Sequence, residues 1–417
     1  MMDESSVLDG VFEQFLRNPP MFRDREVLRH DYLPERLPHR ENQMRCLGEM
    51  LAPVLRGARA SNIFIYGKTG TGKTAVVKYV LGQLSKKANE SSLPLKVCYV
   101  NCRMAGTEYR VLSSLCDSLD ASVPFTGLSL GEVFDRFKSG LDTRQLLLVA
   151  VLDEIDALIK TRGDILLYEL TRINEALSHS KASLVGISND LRFKEFLDPR
   201  VLSSLSEEEI VFRPYDATEL QDILNDRANN AFYSDVSVDG AVRLCAALAA
   251  AEHGDARRAL DLLRVAGELA ERESTKLITE EHVRKAERRI EHDRVFEVLE
   301  HLPSHSKLVV CCTYILSKVN AQHAITGDIY EVYRELCGQC GMTPLTQRRV
   351  SGLINELDAL GLLNTRVISM GRYGRTKKIG LGIASNLVRD VFISDNRIGQ
   401  LMNYVPACIA KAPPKKN

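Results

Sequence analysis

Residues 67–74 read Gly-Lys-Thr-Gly-Thr-Gly-Lys-Thr and directly follow the apolar run Asn62-Ile63-Phe64-Ile65-Tyr66. A helix-forming stretch, Ala75 to Leu84, comes next. Strand, glycine-rich loop and helix in this order confine the chain to an α/β sheet built around a phosphate-binding loop. Gly67, Gly72, Lys73 and Thr74 satisfy the pattern G-x-x-x-x-G-K-[ST]. Glycines let successive backbone N–H groups curl around phosphate oxygens, and the helix start adds the positive end of its dipole. Lys73 has the reach for β- and γ-phosphates, and Thr74 offers a hydroxyl to Mg²⁺. Lys68, Thr69, Gly70, Thr71 and Ala75 complete the expected nucleoside-triphosphate site.

The rest of the first half alternates strand and helix patterns. Leu95–Val100, Gln145–Leu152, Ala182–Ile187 and Glu209–Phe212 read as further strands, nearly all apolar. Such strands predict a parallel sheet covered on both faces, with ligands at the carboxyl ends. At those ends stand Asp153-Glu154 and Asn189. Asp153 suits a metal's water shell, and Glu154 suits polarising the attacking water. Asp156 reads as an acidic helix start. Asn189 suits orienting that water or contacting the γ-phosphate, although Asn is also a common turn residue. Arg200, after Asp198-Pro199, and Arg257, in Gly254-Asp255-Ala256-Arg257, are candidates to neutralise charge on the transferring phosphoryl group.

From Asp216 to His292 the strand signal gives way to helical periodicity. Leu220, Ile223, Leu224 and Ala228 share one face, as do Val242, Cys245, Ala246 and Ala249. Thr279 with His282 three residues on resembles a capping box. Beyond lie two helices, Ser306–Val319 and Ile329–Cys340, and a third ending at Leu360 before Gly361. Val350, Leu353, Ile354 and Leu357 give the third helix a core stripe, while Gln347, Arg348 and Ser351 lie on the other side. Leu362–Ser369 and Thr376–Ile383 pair as a hairpin. Three helices and a hairpin describe a winged helix. Its third helix is expected in the DNA major groove, with Gln347, Arg348, Arg349 and Ser351 near the duplex. Arg372, Tyr373, Arg375 and Lys377 of the wing are expected on the backbone or minor groove. The competing reading is a solvated helix face with an ordinary charged hairpin, and winged helices also mediate protein contacts.

Bulk properties agree with a soluble protein of several domains. The chain has 417 residues with 55 basic and 55 acidic side chains, a net charge of zero. That balance argues against a nucleic-acid binder until distribution is considered, because residues 362–383 hold five Arg and Lys and no acid. No apolar run reaches membrane-spanning length, and the acidic start lacks a secretory signal, so a cytoplasmic protein is expected. Ten cysteines without a paired framework fit a reducing compartment, and Cys337-x-x-Cys340 reads as two small core side chains.

The order Gly67–Thr74, Asp153-Glu154, Asn189, Arg200, Gly254–Leu260 resembles the AAA+ ATPases. Tyr32-Leu33-Pro34-Glu35-Arg36-Leu37-Pro38-His39-Arg40-Glu41, together with Phe212-Arg213-Pro214-Tyr215 and the C-terminal third, resembles the archaeal origin-recognition and cell-division-control initiators of DNA replication. That resemblance implies an AAA+ domain over 1–213, an all-helical lid over 214–293 and a winged helix over 294–417. It implies ATP or ADP with Mg²⁺, and Asn189 and Arg257 as first and second sensors. Arg200, or else Arg192, would act as an arginine finger on a neighbour's nucleotide. Tyr32, Leu33, Pro34, Arg36 and Tyr215 would line the nucleoside side. Implied partners are double-stranded origin DNA, the minichromosome-maintenance helicase and paralogous initiator subunits, with no membrane and a place on the nucleoid. Residues 101–132 match a helical insertion that touches DNA in the family, or a plain loop, since few of them are basic. The alternative is a P-loop regulator of signalling or transcription whose winged helix binds a promoter or a protein.

Overall fold

A computed structural model describes residues 12, 13, 16, 20–121, 123–205, 208–319, 324–369, 375–395 and 397–406. The chain divides into two compact units, Met1–Ala286 and Glu287–Asn417, with the division inside the helix Glu280–His301.

Unit 1 is built on five parallel strands: β1 Ile63–Gly67, β2 Leu95–Asn101, β3 Leu147–Asp153, β4 Lys181–Ser188 and β5 Glu208–Phe212. Their order is β2-β3-β4-β1-β5. The interior strand β3 is buried at every residue, because helices cover both faces and leave no solvent side to favour alternation. One cluster, with Phe64, Leu148, Leu152 and Phe193, packs one face, and another, with Ile63, Ile65, Val149 and Val151, packs the other. The sheet order interposes β4 between β1 and β3. Tyr66 pairs with Ser188, so Asn189 leaves the sheet between the phosphate loop and Asp153-Glu154.

Residues 102–118 form two helices, Cys102–Ala105 and Glu108–Ser118, which removes the plain-loop reading there. Val111, Leu112, Leu115 and Cys116 anchor the second in the core. A third helix, Leu130–Thr143, opens on a capping box between Ser129 and Glu132.

The lid comprises the helices Ala217–Ala231, Asp239–Glu252 and Ala256–Arg272 and the start of Glu280–His301. Leu220, Leu224 and Ala228 are buried, as are Val242, Cys245, Ala246 and Ala249, so both apolar stripes face inward, with Ile223 of the first only half-buried. The His282 variant of the capping box is formed. Thr279 N–H donates to His282 Nδ1 at 3.0 Å, His282 N–H to Thr279 Oγ1 at 3.4 Å. A belt of the N-terminal segment holds the lid: Phe22 bridges Phe232, and their rings lie 4.8 Å apart.

Unit 2 contains the helices Ser304–Val319, Thr326–Gln339 and Gln347–Ala359, followed by β7 Leu363–Ser369 and β8 Arg375–Leu381 paired antiparallel. A two-residue strand, β6 Ala324–Ile325, adds to the far side of β8. The helix Ser385–Ile393 and the turn Gly399–Asn403 pack onto the same core. Val350, Leu353, Ile354 and Leu357 are buried, and Cys337 and Cys340 are free thiols.

Candidate nucleotide site

A cavity of about 440 Å³ opens at the carboxyl ends of the strands in unit 1. Tyr32, Leu33, Pro34, Arg36, Gly70, Thr71, Gly72, Lys73, Thr74, Ala75, Asp153, Glu154, Asn189, Tyr215 and Arg257 all line it. Gly67, Lys68, Thr69 and Arg200 are not among its lining residues. The first two serve the loop from behind, through carbonyls that accept Lys73 Nζ at 2.8 and 2.6 Å.

The loop needs its glycines for two different reasons. Gly70 and Gly72 sit at φ +69° and +87°, where a side chain is strained. A Cβ on Gly70 would stand 1.7 Å from Asp255 Oδ1, and one on Gly67 would stand 2.4 Å from the Phe212 carbonyl. Gly67 is therefore demanded by strand packing rather than by phosphate.

Lys73 is 5% exposed. Burial pushes its amine down to about 8, against the opposing pull of Asp153. Thr74 Oγ1 donates to Asp153 Oδ2 at 2.8 Å, and Tyr99 O–H donates to the same oxygen. Asp153 Oδ1 accepts the Glu154 N–H at 2.8 Å. Glu154 occupies the left-handed region, φ +52°, at the N-cap of the helix Ile155–Arg162. A non-glycine residue there costs about 1–3 kcal/mol, the kind of strain that clusters at working sites. Its carboxylate lies 3.9 Å from Arg103 Nη1.

Asp156 does more than start a helix. Its Oδ1 accepts Ser188 Oγ at 3.2 Å and the Asn189 N–H at 3.1 Å, tying the end of β4 to the helix after Glu154. Arg200 lies instead on an exposed helix, Pro199–Leu205, in a two-point pair with Asp198 at 3.1 Å. Arg192 N–H donates to Asp190 Oδ1.

Two further arginines serve this site: Arg40, inside the run of residues 32–41 but given no role there, and Arg227, which no motif contains. Arg40 is completely buried; its Nε donates to the Thr71 carbonyl at 2.9 Å and its Nη2 to the Arg213 carbonyl at 2.8 Å. Its guanidinium stacks 3.7 Å from the Tyr215 ring centre, and burial lowers its pKa. Arg227 of the lid donates to the carbonyls of Val27 and Tyr32 and sits over the Tyr32 ring at 4.8 Å. The lid also touches the loop directly, since Ala256 N–H donates to the Gly70 carbonyl at 3.1 Å. The N-cap Asp255 accepts the Arg257 N–H at 2.8 Å, holding the start of that helix beside Gly70.

In unit 2, Gln347, Arg348 and Arg349 are exposed at the start of their helix and Ser351 is half-buried. Lys377 Nζ donates to Asn355 Oδ1, pinning β8 to that helix. Arg372 and Tyr373 lie outside the described residues, as does the side chain of Arg375.

Residues 56–192 match a family model described as "AAA domain". Residues 221–288 match "Cdc6 AAA+ ATPase-type lid domain" and residues 297–391 match "CDC6, C terminal winged helix domain". The chain is 51% identical over 399 residues to an ORC1-type DNA replication protein of Thermococcus onnurineus, covering 95% of this chain and 96% of the relative. A Pyrococcus furiosus protein of the same name is 52% identical, with 95% of each chain covered. Among solved structures, that of the Aeropyrum pernix ORC1 protein in complex with DNA superposes with a TM-score of 0.84 at 49% identity, covering 91% of this chain and 99% of that one. With three family models in order and relatives matched along nearly its whole length, the chain belongs to the ORC1-type, Cdc6-related family of DNA replication initiators, AAA+ ATPases with a helical lid and a C-terminal winged helix.

Proposed function

We propose that this chain is an ATP-governed switch that marks replication origins: unit 2 grips origin duplex DNA, and ATP binding with slow hydrolysis controls recruitment or loading of the minichromosome-maintenance helicase. The observation that carries the switch is the lid's hold on the phosphate loop, the Ala256 N–H on the Gly70 carbonyl beside Arg257 in the cavity. A group at the γ-phosphate position meets the loop and the lid together, so its departure alters the interactions that fix the lid angle.

The residues fit ATP and Mg²⁺. Gly70 and Gly72 keep the loop free of side chains, and Thr74 and Asp153 pair a hydroxyl with a carboxylate as a hard cation requires. Mg²⁺, when bound, neutralises charge on the β- and γ-phosphate oxygens. Lys73 supplies a charge beside those oxygens, Glu154 takes the proton of the attacking water, and Asn189 orients that water. Arg257 reads the γ-phosphate from the lid. Tyr32, Leu33, Pro34, Arg36 and Tyr215 enclose the nucleoside. Arg200 is held by Asp198 and stands outside its own cavity, which suits a finger offered to a neighbouring, paralogous subunit once that pair opens. The three domains would run 1–213, 214–293 and 294–417, and the protein would work in the cytoplasm on the nucleoid; among the described residues no helix is long and apolar enough to cross a membrane.

The DNA reading draws on the exposed Gln347, Arg348 and Arg349, on the acid-free hairpin, and on the DNA named with the Aeropyrum pernix structure. Arg372→Ala with Arg375→Ala is expected to flatten the slope of log affinity against log salt by about 0.9 for each phosphate that the variant no longer neutralises. Anisotropy titrations over a range of salt measure it, and an unchanged slope removes the wing from the interface. Footprinting separates origin from promoter: protection confined to the origin supports initiation, and protection at promoters supports a transcriptional role.

A further inference from the structure

Tyr99 belongs to no motif, yet it touches the carboxylate on which the site turns. It stands two residues before Asn101, which pairs across β2 and β3 with Asp153, so Tyr99 and Asp153 project from one face of the sheet. Asp153 is 4% exposed. Its Oδ2 accepts both Thr74 Oγ1–H and Tyr99 O–H, and its Oδ1 accepts the Glu154 N–H. A carboxylate oxygen has two good lone-pair directions. Two donors therefore fill Oδ2, and among the described residues one further position, on Oδ1, is left for a hydrogen of a metal-bound water. Lys78 Nζ lies 4.8 Å from the centre of the Tyr99 ring, a cation–π contact that helps hold the ring beside Asp153.

We propose that Tyr99 is a positioning residue that occupies Asp153 in competition with the water shell of Mg²⁺, and so weakens the hold of the site on its metal. This rests on the reading of Thr74 and Asp153 as the metal pair. The competition would contribute to the slow hydrolysis proposed above, since a metal's water shell would meet an Oδ2 already taken by Tyr99 and Thr74. Removing the hydroxyl costs the metal-free state a charge-assisted hydrogen bond, whereas in the metal-bound state a water fills the same lone pair. The difference appears as tighter metal binding.

The test uses the full chain with saturating ATP, native and Tyr99→Phe, each titrated from EDTA into Mg²⁺ and followed by thermal unfolding. Mn²⁺ titration read by electron paramagnetic resonance gives the same quantity without reference to activity. Phe keeps the ring and its packing. The half-saturating metal concentration is expected to fall by roughly three- to tenfold in Tyr99→Phe, with a larger metal-dependent rise in melting temperature than in the native chain. An unchanged or raised half-saturation overturns the competition and leaves the metal pair standing. A native chain that ignores Mg²⁺ and Mn²⁺ overturns the metal pair as well.

Discussion

Glu154→Gln is expected to bind ATP like the native chain and to hydrolyse it roughly 10²–10⁴-fold more slowly, the usual contribution of a general base. The two effects separate because of how the residue is built in. Its backbone N–H holds Asp153 Oδ1, and its φ of +52° sets the turn into the next helix; neither depends on the side-chain ending. An amide keeps the shape and removes the basic oxygen. Filter binding of labelled ATP and single-turnover hydrolysis check both halves. Native turnover by the variant would take the base role from Glu154, and failure to bind would show that its charge, held 3.9 Å from Arg103, shapes the cavity instead.

Lys73→Ala is expected to abolish nucleotide binding at working concentrations. Truncating one partner of a buried, hydrogen-bonded charge pair costs about 2–5 kcal/mol, which is about 30- to several-thousand-fold in affinity. The same amine gives the site a pH signature. In the nucleotide-free chain burial holds it at about 8, against 10.5 for an exposed lysine. Between these values the folded chain has released a proton that the unfolded chain retains, so the unfolded chain binds more protons and this contribution to stability rises with pH. It is fully present above 10.5 and lost as pH falls through 8. A triphosphate acts in the opposite sense, because its charge draws the proton back. ATP affinity is therefore expected to fall as pH rises above 8, with net proton uptake on binding. Calorimetry at pH about 8.5 in two buffers of different ionisation enthalpy measures that uptake, and Lys73→Arg, whose side chain stays charged, removes it.

The parts of the site visible in the sequence are those whose partners are close along the chain or fixed by strand ends. Gly72-Lys73-Thr74 follows a strand and starts a helix, and Asp153-Glu154 ends a continuous apolar run, so both announce their positions. Arg40 does not. It serves the carbonyls of Thr71 and Arg213, groups that every residue carries, 31 and 173 positions away. Arg227 and Tyr99 are hidden for the same reason, since each meets its partner only after the lid and sheet have folded. Asp156 has the composition of an ordinary helix start, and only the placing of β4 next to β3 gives it Ser188 and Asn189. In unit 2 the buried stripe of Gln347–Ala359 follows from its period, whereas β6 has two residues and no pattern to read. The helices at 102–118 are hard to tell from a loop in the sequence, because their polar faces hide a four-residue anchor, Val111, Leu112, Leu115 and Cys116.

On the proposed switch, the lid reads the nucleotide through the start of the helix Ala256–Arg272. Amide hydrogen exchange over residues 256–260 tests it most directly, comparing saturating ATP in Glu154→Gln with saturating ADP, both with Mg²⁺. Slower exchange is expected with ATP, because a γ-phosphate held by Arg257 would steady the Ala256 N–H on the Gly70 carbonyl. Equal exchange in the two states, with both nucleotides shown to be bound, would contradict it.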